Sequence, residues 1–150
     1  MSRKNFIAGN WKMNTTKDEA VSLAESVVKE CSGIDGVDIA VCPPYISLDA
    51  VSEVVKGTNV KLGAQDLHWE SMGAYTGKVN AEMLRSVGVE YVIIGHSEQR
   101  TYFHETDETV NKKLKAALAG GLSPIVCIGE TLDERKGGRT EDVVSAQVKG

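Results

Sequence analysis

A lysine, a histidine and a glutamate stand directly behind short apolar runs of the sequence. Lys12 follows the run FIAGNW, and His96 and Glu98 follow the run YVIIG. A lysine supplies a fixed positive charge for a phosphate or for a developing enediolate, and a histidine or a carboxylate can transfer protons. Together these residue types indicate the polarisation of a carbonyl group beside an acidic C–H bond.

His96 stands where an apolar run ends and a charged, helix-like run begins. The positive potential at the start of a helix disfavours an imidazolium ion, so we expect a neutral ring that donates an N–H. Each residue also has a structural explanation: Lys12 as a solvated loop lysine, His96 as a hydrogen-bonded core histidine, and Glu98 as a helix cap. Their shared position behind apolar runs favours the catalytic interpretation.

Five short apolar runs supply the strands that would position these residues. The predicted strands cover residues 6–11, 37–42, 60–65, 91–95 and 122–128. They are almost continuously apolar, which is typical of parallel strands covered on both faces. Ligands bind beyond the carboxyl ends of such strands, so the polar residues behind these runs should lie close together.

Amphipathic helical patterns separate the strands. The first predicted helix begins behind a capping box formed by Thr16 and Glu19, and the fourth ends at Gly120. The predicted helices cover residues 20–31, 48–56, 81–87, 110–118 and 141–149. The apolar stripe of the fourth comprises Val110, Leu114 and Leu118. The alternation predicts the α/β class, as either an open doubly wound sheet or a (β/α) barrel.

Composition and charge argue against several classes of protein. The chain has 150 residues and a formal net charge of −4, and no apolar run approaches the roughly 20 residues that a membrane span needs. We interpret Lys112, Lys113 and Lys115 as a solvated helix face, so nucleic acid is not expected as a partner. The start, MSRKNFIAGNW, lacks the apolar core of a signal peptide, so a cytoplasmic location is expected.

Neither a metal site nor a nucleotide site is expected. The three cysteines, Cys31, Cys42 and Cys127, form no CxxC pair, which argues against a disulfide framework or a zinc site. The three histidines show no metal-ligand spacing. The stretch GAYTGK at residues 73–78 is one residue short of a Walker loop, and Val79 stands where serine or threonine is needed.

Six stretches of the sequence resemble the triosephosphate isomerase family, in the family's order. They are NFIAGNWKMN (5–14), CPPY (42–45), GAQD (63–66), GAYTGKV (73–79), YVIIGHSEQR (91–100) and PIVCIGETLDER (124–135). The resemblance implies a (β/α)8 barrel that interconverts dihydroxyacetone phosphate and glyceraldehyde 3-phosphate in glycolysis and gluconeogenesis, without a cofactor. This family is itself the standard example of a neutral catalytic histidine.

The resemblance also implies catalytic roles for the matching residues. Asn10 and Lys12 would bind the substrate, with Lys12 holding the phosphate and offsetting the charge of the enediolate. His96 would move protons between the substrate oxygens. Glu98 would be the active-site carboxylate near Lys12. Cys127 resembles a buried cysteine beneath the site, with a packing role.

A second set of residues is implied to form the interface of the family's dimer. The loop at residues 73–77 resembles one that crosses into the neighbouring subunit. There Tyr75 would be an aromatic anchor, Thr76 would support the partner's Asn10, and Gln65 would lie near the interface.

The resemblance covers five βα units, and a complete barrel needs about 250 residues. In the family the general base is a glutamate behind the sixth strand, under a closing lid, and later glycine-rich loops hold the phosphate. We therefore expect residues 1–150 to be the N-terminal part of a TIM barrel that is inactive alone. It would be completed by a C-terminal segment or by self-association across exposed strand edges. The alternatives are a non-catalytic half-barrel fragment or assembly subunit and, less favoured, another phosphosugar barrel enzyme.

Overall fold

The computed structural model describes residues 3–150 as five strands and seven helices. The strands are β1 (Asn5–Asn10), β2 (Val37–Cys42), β3 (Val60–Ala64), β4 (Tyr91–Ile94) and β5 (Ser123–Val126). The helices are α1 (Lys17–Cys31), α2 (Leu48–Val55), α3 (Ala81–Ser86), α4 (Ser97–Phe103), α5 (Asp107–Ala119), α6 (Leu132–Lys136) and α7 (Thr140–Lys149). A single 3-10 turn, Tyr45–Ser47, precedes α2. The predicted α/β class is confirmed.

The five strands form one parallel sheet in sequence order, β1-β2-β3-β4-β5. Adjacent strands lie about 4.8 Å apart, so β1 and β4 would be about 14 Å apart in a flat sheet. The rings of Phe6 on β1 and Tyr91 on β4 nevertheless stack with centroids 4.8 Å apart. The sheet therefore curls, with these rings on its concave face. The curl and the unreversed strand order favour a partial barrel over a doubly wound sheet.

The hydrophobic core lies between the convex face of the sheet and the helices. Its strand residues include Ile39, Val41, Leu62, Val92 and Ile94, and its helix residues include Ala20, Ala24, Val51, Leu84, Val110 and Ala117. The prediction of strands covered on both faces is correct for much of β2, β3 and β4. It is wrong for β1 and β5: Ile7 on β1 is 64% exposed and Val126 on β5 is 41% exposed.

The helix signals are confirmed, and one predicted stripe is corrected. The Thr16 amide donates to Glu19 Oε2 at 2.7 Å, which begins α1, and α5 ends at Gly120. The buried face of α5 carries Val110, Lys113 and Ala117, whereas Leu118 is 59% exposed. The interpretation of Lys113 as part of a solvated face is therefore wrong.

Two short helices, α4 and α6, complete the connections on either side of β5. The sequence indicated α4 as the run that His96 opens, and α6 was not predicted. Thr131 begins α6 by accepting a hydrogen bond from the Glu134 amide at 3.3 Å. Among residues 3–150, no helix is both long enough and apolar enough to cross a membrane.

Candidate functional site

Lys12 follows β1 in a backbone conformation that is uncommon for a residue with a side chain. Its φ is 54°, a left-handed value that costs about 1 kcal/mol or more and that tends to occur at functional sites. Its amide donates to Asn10 Oδ1 at 3.0 Å. Gln65 Nε2 donates to the carbonyl oxygens of Lys12 and Cys42, both at 2.9 Å. These side chains fix the loop that carries the lysine.

Lys12 reaches across to α4 and forms an ion pair with Glu98. Its Nζ lies 2.7 Å from Glu98 Oε1, and both side chains are about half exposed. The hydrogen bond from Lys12 lowers the pKa of Glu98 below its ordinary value. The carboxylate therefore stays ionised and holds the ammonium group at the carboxyl end of the sheet.

His96 is the N-cap of α4, and its Nδ1 accepts a hydrogen bond from the Glu98 amide at 3.2 Å. Because this nitrogen accepts, the proton of the neutral ring is on Nε2. Nδ1 also lies 3.4 Å from Glu98 Oε2, which is longer than a charge-assisted hydrogen bond. The amide contact therefore defines the ring, and Nε2–H is available as a donor.

Gly95 connects β4 to His96. Its φ is +71°, and an added Cβ would lie 3.0 Å from the carbonyl oxygen of Cys127. Any other residue would be strained there and would contact the backbone behind β5. The glycine therefore lets the chain turn tightly at the end of β4 and aim the imidazole.

Three charged side chains lie together near these residues: Glu105 before α5 and Lys113 within α5, whose side chains are buried, and Asp66 behind β3, whose side chain is 17% exposed. Lys113 Nζ lies 2.6 Å from Asp66 Oδ1 and also forms an ion pair with Glu105. The Lys113 and Glu105 side chains are 8% and 4% exposed. Burial raises the pKa of Asp66, although the charge of Lys113 opposes this shift. We call these three residues the buried ionic cluster.

The sequence interpretation missed this cluster, although a signal was present. Lys113 falls three residues after Val110 and four before Ala117, so helical spacing places it on the apolar face. Its partner, Asp66, lies 47 residues earlier in the chain. Only the tertiary fold brings the two side chains together.

Of the residues predicted for the interface, Gln65 lies at the site and contacts Lys12, whereas Tyr75 and Thr76 lie on a surface loop. Tyr75 is 43% exposed, and its ring packs against His68 with centroids 4.5 Å apart. Thr76 beside it is exposed. The loop at 73–77 is therefore exposed in the single chain, and its contact with a neighbouring subunit stays a prediction. A cleft of about 310 Å³ lies between that loop and the residues Lys12, Tyr45 and Gln65.

The cysteines take the positions expected of packing residues, with one difference. Cys42 is buried, burial raises the pKa of its thiol to about 12, and its Sγ would lie 2.5 Å from a Cβ at Gly63. Cys127 is half-buried, not fully buried as implied, and burial again raises the pKa of its thiol. Neither is poised as a nucleophile.

The site brings together one fixed cation and one neutral imidazole donor at the ends of β1 and β4. A fixed cation can bind an anion, and an imidazole N–H can polarise a carbonyl group. Within residues 3–150, no three histidine, cysteine or acidic side chains are grouped so that they could hold a metal ion.

Comparisons with known proteins agree with this geometry. A triosephosphate isomerase of Clostridium tetani is 54% identical over 147 residues, covering 98% of this chain and 57% of that protein. One of Alkaliphilus oremlandii is 53% identical over 148 residues, covering 99% of this chain and 59% of that protein. The crystal structure of triosephosphate isomerase from Bartonella henselae matches with a TM-score of 0.89 at 38% identity, covering 98% of this chain and 61% of that one.

The family model described as triosephosphate isomerase matches residues 5–150, which include every strand and helix described above. The chain spans 57 to 59% of the length of the two curated relatives. It belongs to the triosephosphate isomerase family, and its five parallel strands form part of that family's barrel.

Proposed function

We propose that this chain is the N-terminal part, five βα units, of a triosephosphate isomerase. The activity is the interconversion of dihydroxyacetone phosphate and glyceraldehyde 3-phosphate in glycolysis and gluconeogenesis, without a cofactor. One observation carries the proposal: Lys12, behind β1, and His96, behind β4, both contact Glu98. Lys12 Nζ lies 2.7 Å from Glu98 Oε1, and His96 Nδ1 accepts a hydrogen bond from the Glu98 amide at 3.2 Å.

Each side chain at the site has a role in this reaction. The Lys12 ammonium binds the anionic substrate and stabilises the enediolate, and Asn10 supports it through the loop hydrogen bond. His96 donates its Nε2–H to the substrate oxygens and moves a proton between them. Glu98 keeps Lys12 in place through the ion pair and orients His96 through its amide.

A general base must reach the substrate's C–H, and neither nearby glutamate suits that task. Glu98 is held by Lys12. Glu130 is largely buried and accepts hydrogen bonds from Thr140 Oγ1 at 3.2 Å and Arg135 Nη1 at 3.4 Å. In the proposal the base comes from a complementary C-terminal barrel segment, and the chain alone isomerises poorly or not at all.

The exposed strands support pairing with such a segment. β1 and β5 are the outer strands of the described sheet, and both carry exposed apolar residues, among them Ile7 and Val126. Unpaired backbone groups along an outer strand favour the addition of another strand. Strands six to eight of a barrel would fit between β5 and β1, and self-association across the same edges is the alternative.

A homodimer is proposed on a different surface. Two features support it: the exposed loop with Tyr75 and Thr76, and the cleft beside Lys12 and Gln65. The loop of one copy would enter the cleft of the other, where Thr76 would support the partner's Asn10.

The test is a coupled assay for glyceraldehyde 3-phosphate isomerisation, on the chain alone and after mixing with a segment that carries units six to eight of a relative. We expect activity only in the mixture, and we expect His96→Asn to lower it by about 10²-fold or more. The matched control is His104→Asn, an exposed histidine eight residues further along, which should keep the activity of the mixture.

Two results would contradict the proposal. Robust activity of the chain alone would show that one of its own residues serves as the base. A mixture that assembles but stays inactive would favour a non-catalytic half-barrel subunit.

A further inference from the structure

The buried ionic cluster touches the backbone that carries His96. Glu105 Oε2 accepts a hydrogen bond from the Gly95 amide at 3.0 Å. Arg100 Nε donates to the Gly95 carbonyl oxygen at 2.9 Å, and Arg100 Nη1 pairs with Asp107 Oδ1 at 2.6 Å. Charged side chains therefore hold Gly95 through both its N–H and its carbonyl oxygen, directly before the imidazole.

The same cluster reaches the backbone that carries Lys12. Lys113 links Glu105 to Asp66, and Asp66 directly follows Gln65. The side-chain nitrogen Nε2 of Gln65 donates to the carbonyl oxygens of Lys12 and Cys42. A continuous series of contacts thus runs from the end of β4, through α5, to the end of β3 and on to Lys12.

Stability alone gives little reason for such a cluster. Two carboxylates and one ammonium group are removed from water, and apolar residues of similar volume are often as stable or more stable. Apolar contacts are not directional, whereas a hydrogen bond fixes a backbone N–H at a set distance and angle from its acceptor. The cluster therefore suits the task of setting geometry.

We propose that Asp66, Glu105 and Lys113 are positioning residues that fix His96 and Lys12 relative to each other. The proposal rests on the proposed function of those two side chains. The cluster residues act through the backbone: Glu105 through Gly95, and Asp66 through the Gln65 segment. Lys113 joins Glu105 to Asp66. The distance between the His96 imidazole and the Lys12 ammonium group is thereby held constant.

The test uses the isotope-labelled full chain without substrate, so it does not depend on activity. The variants are Glu105→Gln and Lys113→Met. The matched controls are Glu108→Gln and Lys112→Met, which remove an exposed ion pair of 2.7 Å on the same helix. The readouts are hydrogen exchange at the Gly95 amide and the ring nitrogen chemical shifts of His96, which report its tautomer.

We expect both cluster variants to shift the His96 ring nitrogens and to speed Gly95 amide exchange by about tenfold or more, since a charge-assisted hydrogen bond is weakened. The controls should match the unmodified chain. If Lys113→Met fails to fold, Glu105→Gln carries the test, because it keeps the size of the side chain and an accepting oxygen.

The His96 shifts and the Gly95 exchange rate of the folded variants decide whether the cluster positions the site or only stabilises the fold. If the folded variants unfold more easily but keep the native His96 shifts and Gly95 exchange, the positioning proposal is overturned. If the His96 nitrogens shift while the complemented mixture proves inactive in the isomerase assay, the positioning proposal holds and the proposed function fails.

Discussion

The inner strands and the outer strands of this sheet are built from similar residues but lie in different surroundings. On β3, Val60 and Leu62 are each 1% exposed, whereas Ile7 on β1 is 64% exposed. β1 and β5 nevertheless carry apolar residues, among them Phe6 and Ile7 on β1 and Ile125 and Val126 on β5. The candidate site lies along the end of the sheet from β1 to β4, where the polar residues are joined by hydrogen bonds.

The difference supports the proposal that further strands pair with β1 and β5. Ile7 is an exposed apolar side chain on β1 without the charge that protects many outer strands, whereas β5 carries Pro124, which has no N–H to donate. The joined side chains at the strand ends, in contrast, already have their partners within the described chain. The surroundings of Lys12 and His96 in the proposed site are thus built from residues of the described chain.

The largest effect should come from breaking the buried ionic cluster. Lys113→Met leaves the carboxylates of Asp66 and Glu105 buried without a cation, which should lower the free energy of unfolding by about 3–5 kcal/mol. Lys112→Met removes only an exposed i,i+4 pair with Glu108 and should cost about 0.5 kcal/mol or less. Urea unfolding of both variants measures the contrast. Equal effects would show that the cluster is solvated.

A smaller contrast is expected between an inner and an outer strand. Leu62→Ala on β3 should lower the free energy of unfolding by about 3 kcal/mol, because it leaves a cavity in the core. Ile7→Ala on β1 should change it by about 0.5 kcal/mol or less, as for most surface substitutions. Chemical denaturation of the chain alone tests both. A large loss in Ile7→Ala would show that the outer face of β1 is covered in solution, for instance by self-association.

The smallest effect concerns the Lys12–Glu98 ion pair at the strand ends. Lys12 lowers the pKa of Glu98 in the folded chain, so the pair stabilises the fold above the unfolded-state pKa. This contribution is lost as the pH falls through the lowered folded-state value. An NMR titration should place the Glu98 midpoint below that of an unpaired glutamate, and Lys12→Met should raise it. An unchanged midpoint in Lys12→Met would contradict the pairing.

Much of the fold could be predicted from local patterns because those patterns reflect short-range physics. The capping box at Thr16 and Glu19 and the end of α5 at Gly120 depend on neighbouring residues, and both are confirmed. On α5 the predicted stripe is correct for Val110 and Leu114, which belong to the core or pack against it, and wrong for Leu118, which is exposed. The buried face turns instead through Lys113 and Ala117. Which face meets the sheet is a property of the packing.

The candidate site divides in the same way. The predicted set Asn10, Lys12, His96 and Glu98 lies together, because polar residues behind parallel strands share one end of a sheet. Their exact roles in catalysis stay predictions. Glu105 and Asp66 could not be given a role from the sequence, since each acquires its partner, Lys113, through the folding of distant segments.

The sequence by itself determined the family, the order of strands and helices, and the residue types at the strand ends. Hydrophobic periodicity and helix capping depend on residues that are close in the sequence. Each of the six stretches that resemble the family is likewise a continuous run of residues. The tertiary structure alone decided that Lys113 is buried between two carboxylates and that Glu105 accepts the hydrogen bond of the Gly95 amide. Both depend on bringing together residues from different segments of the chain, at distances that only the packed fold sets.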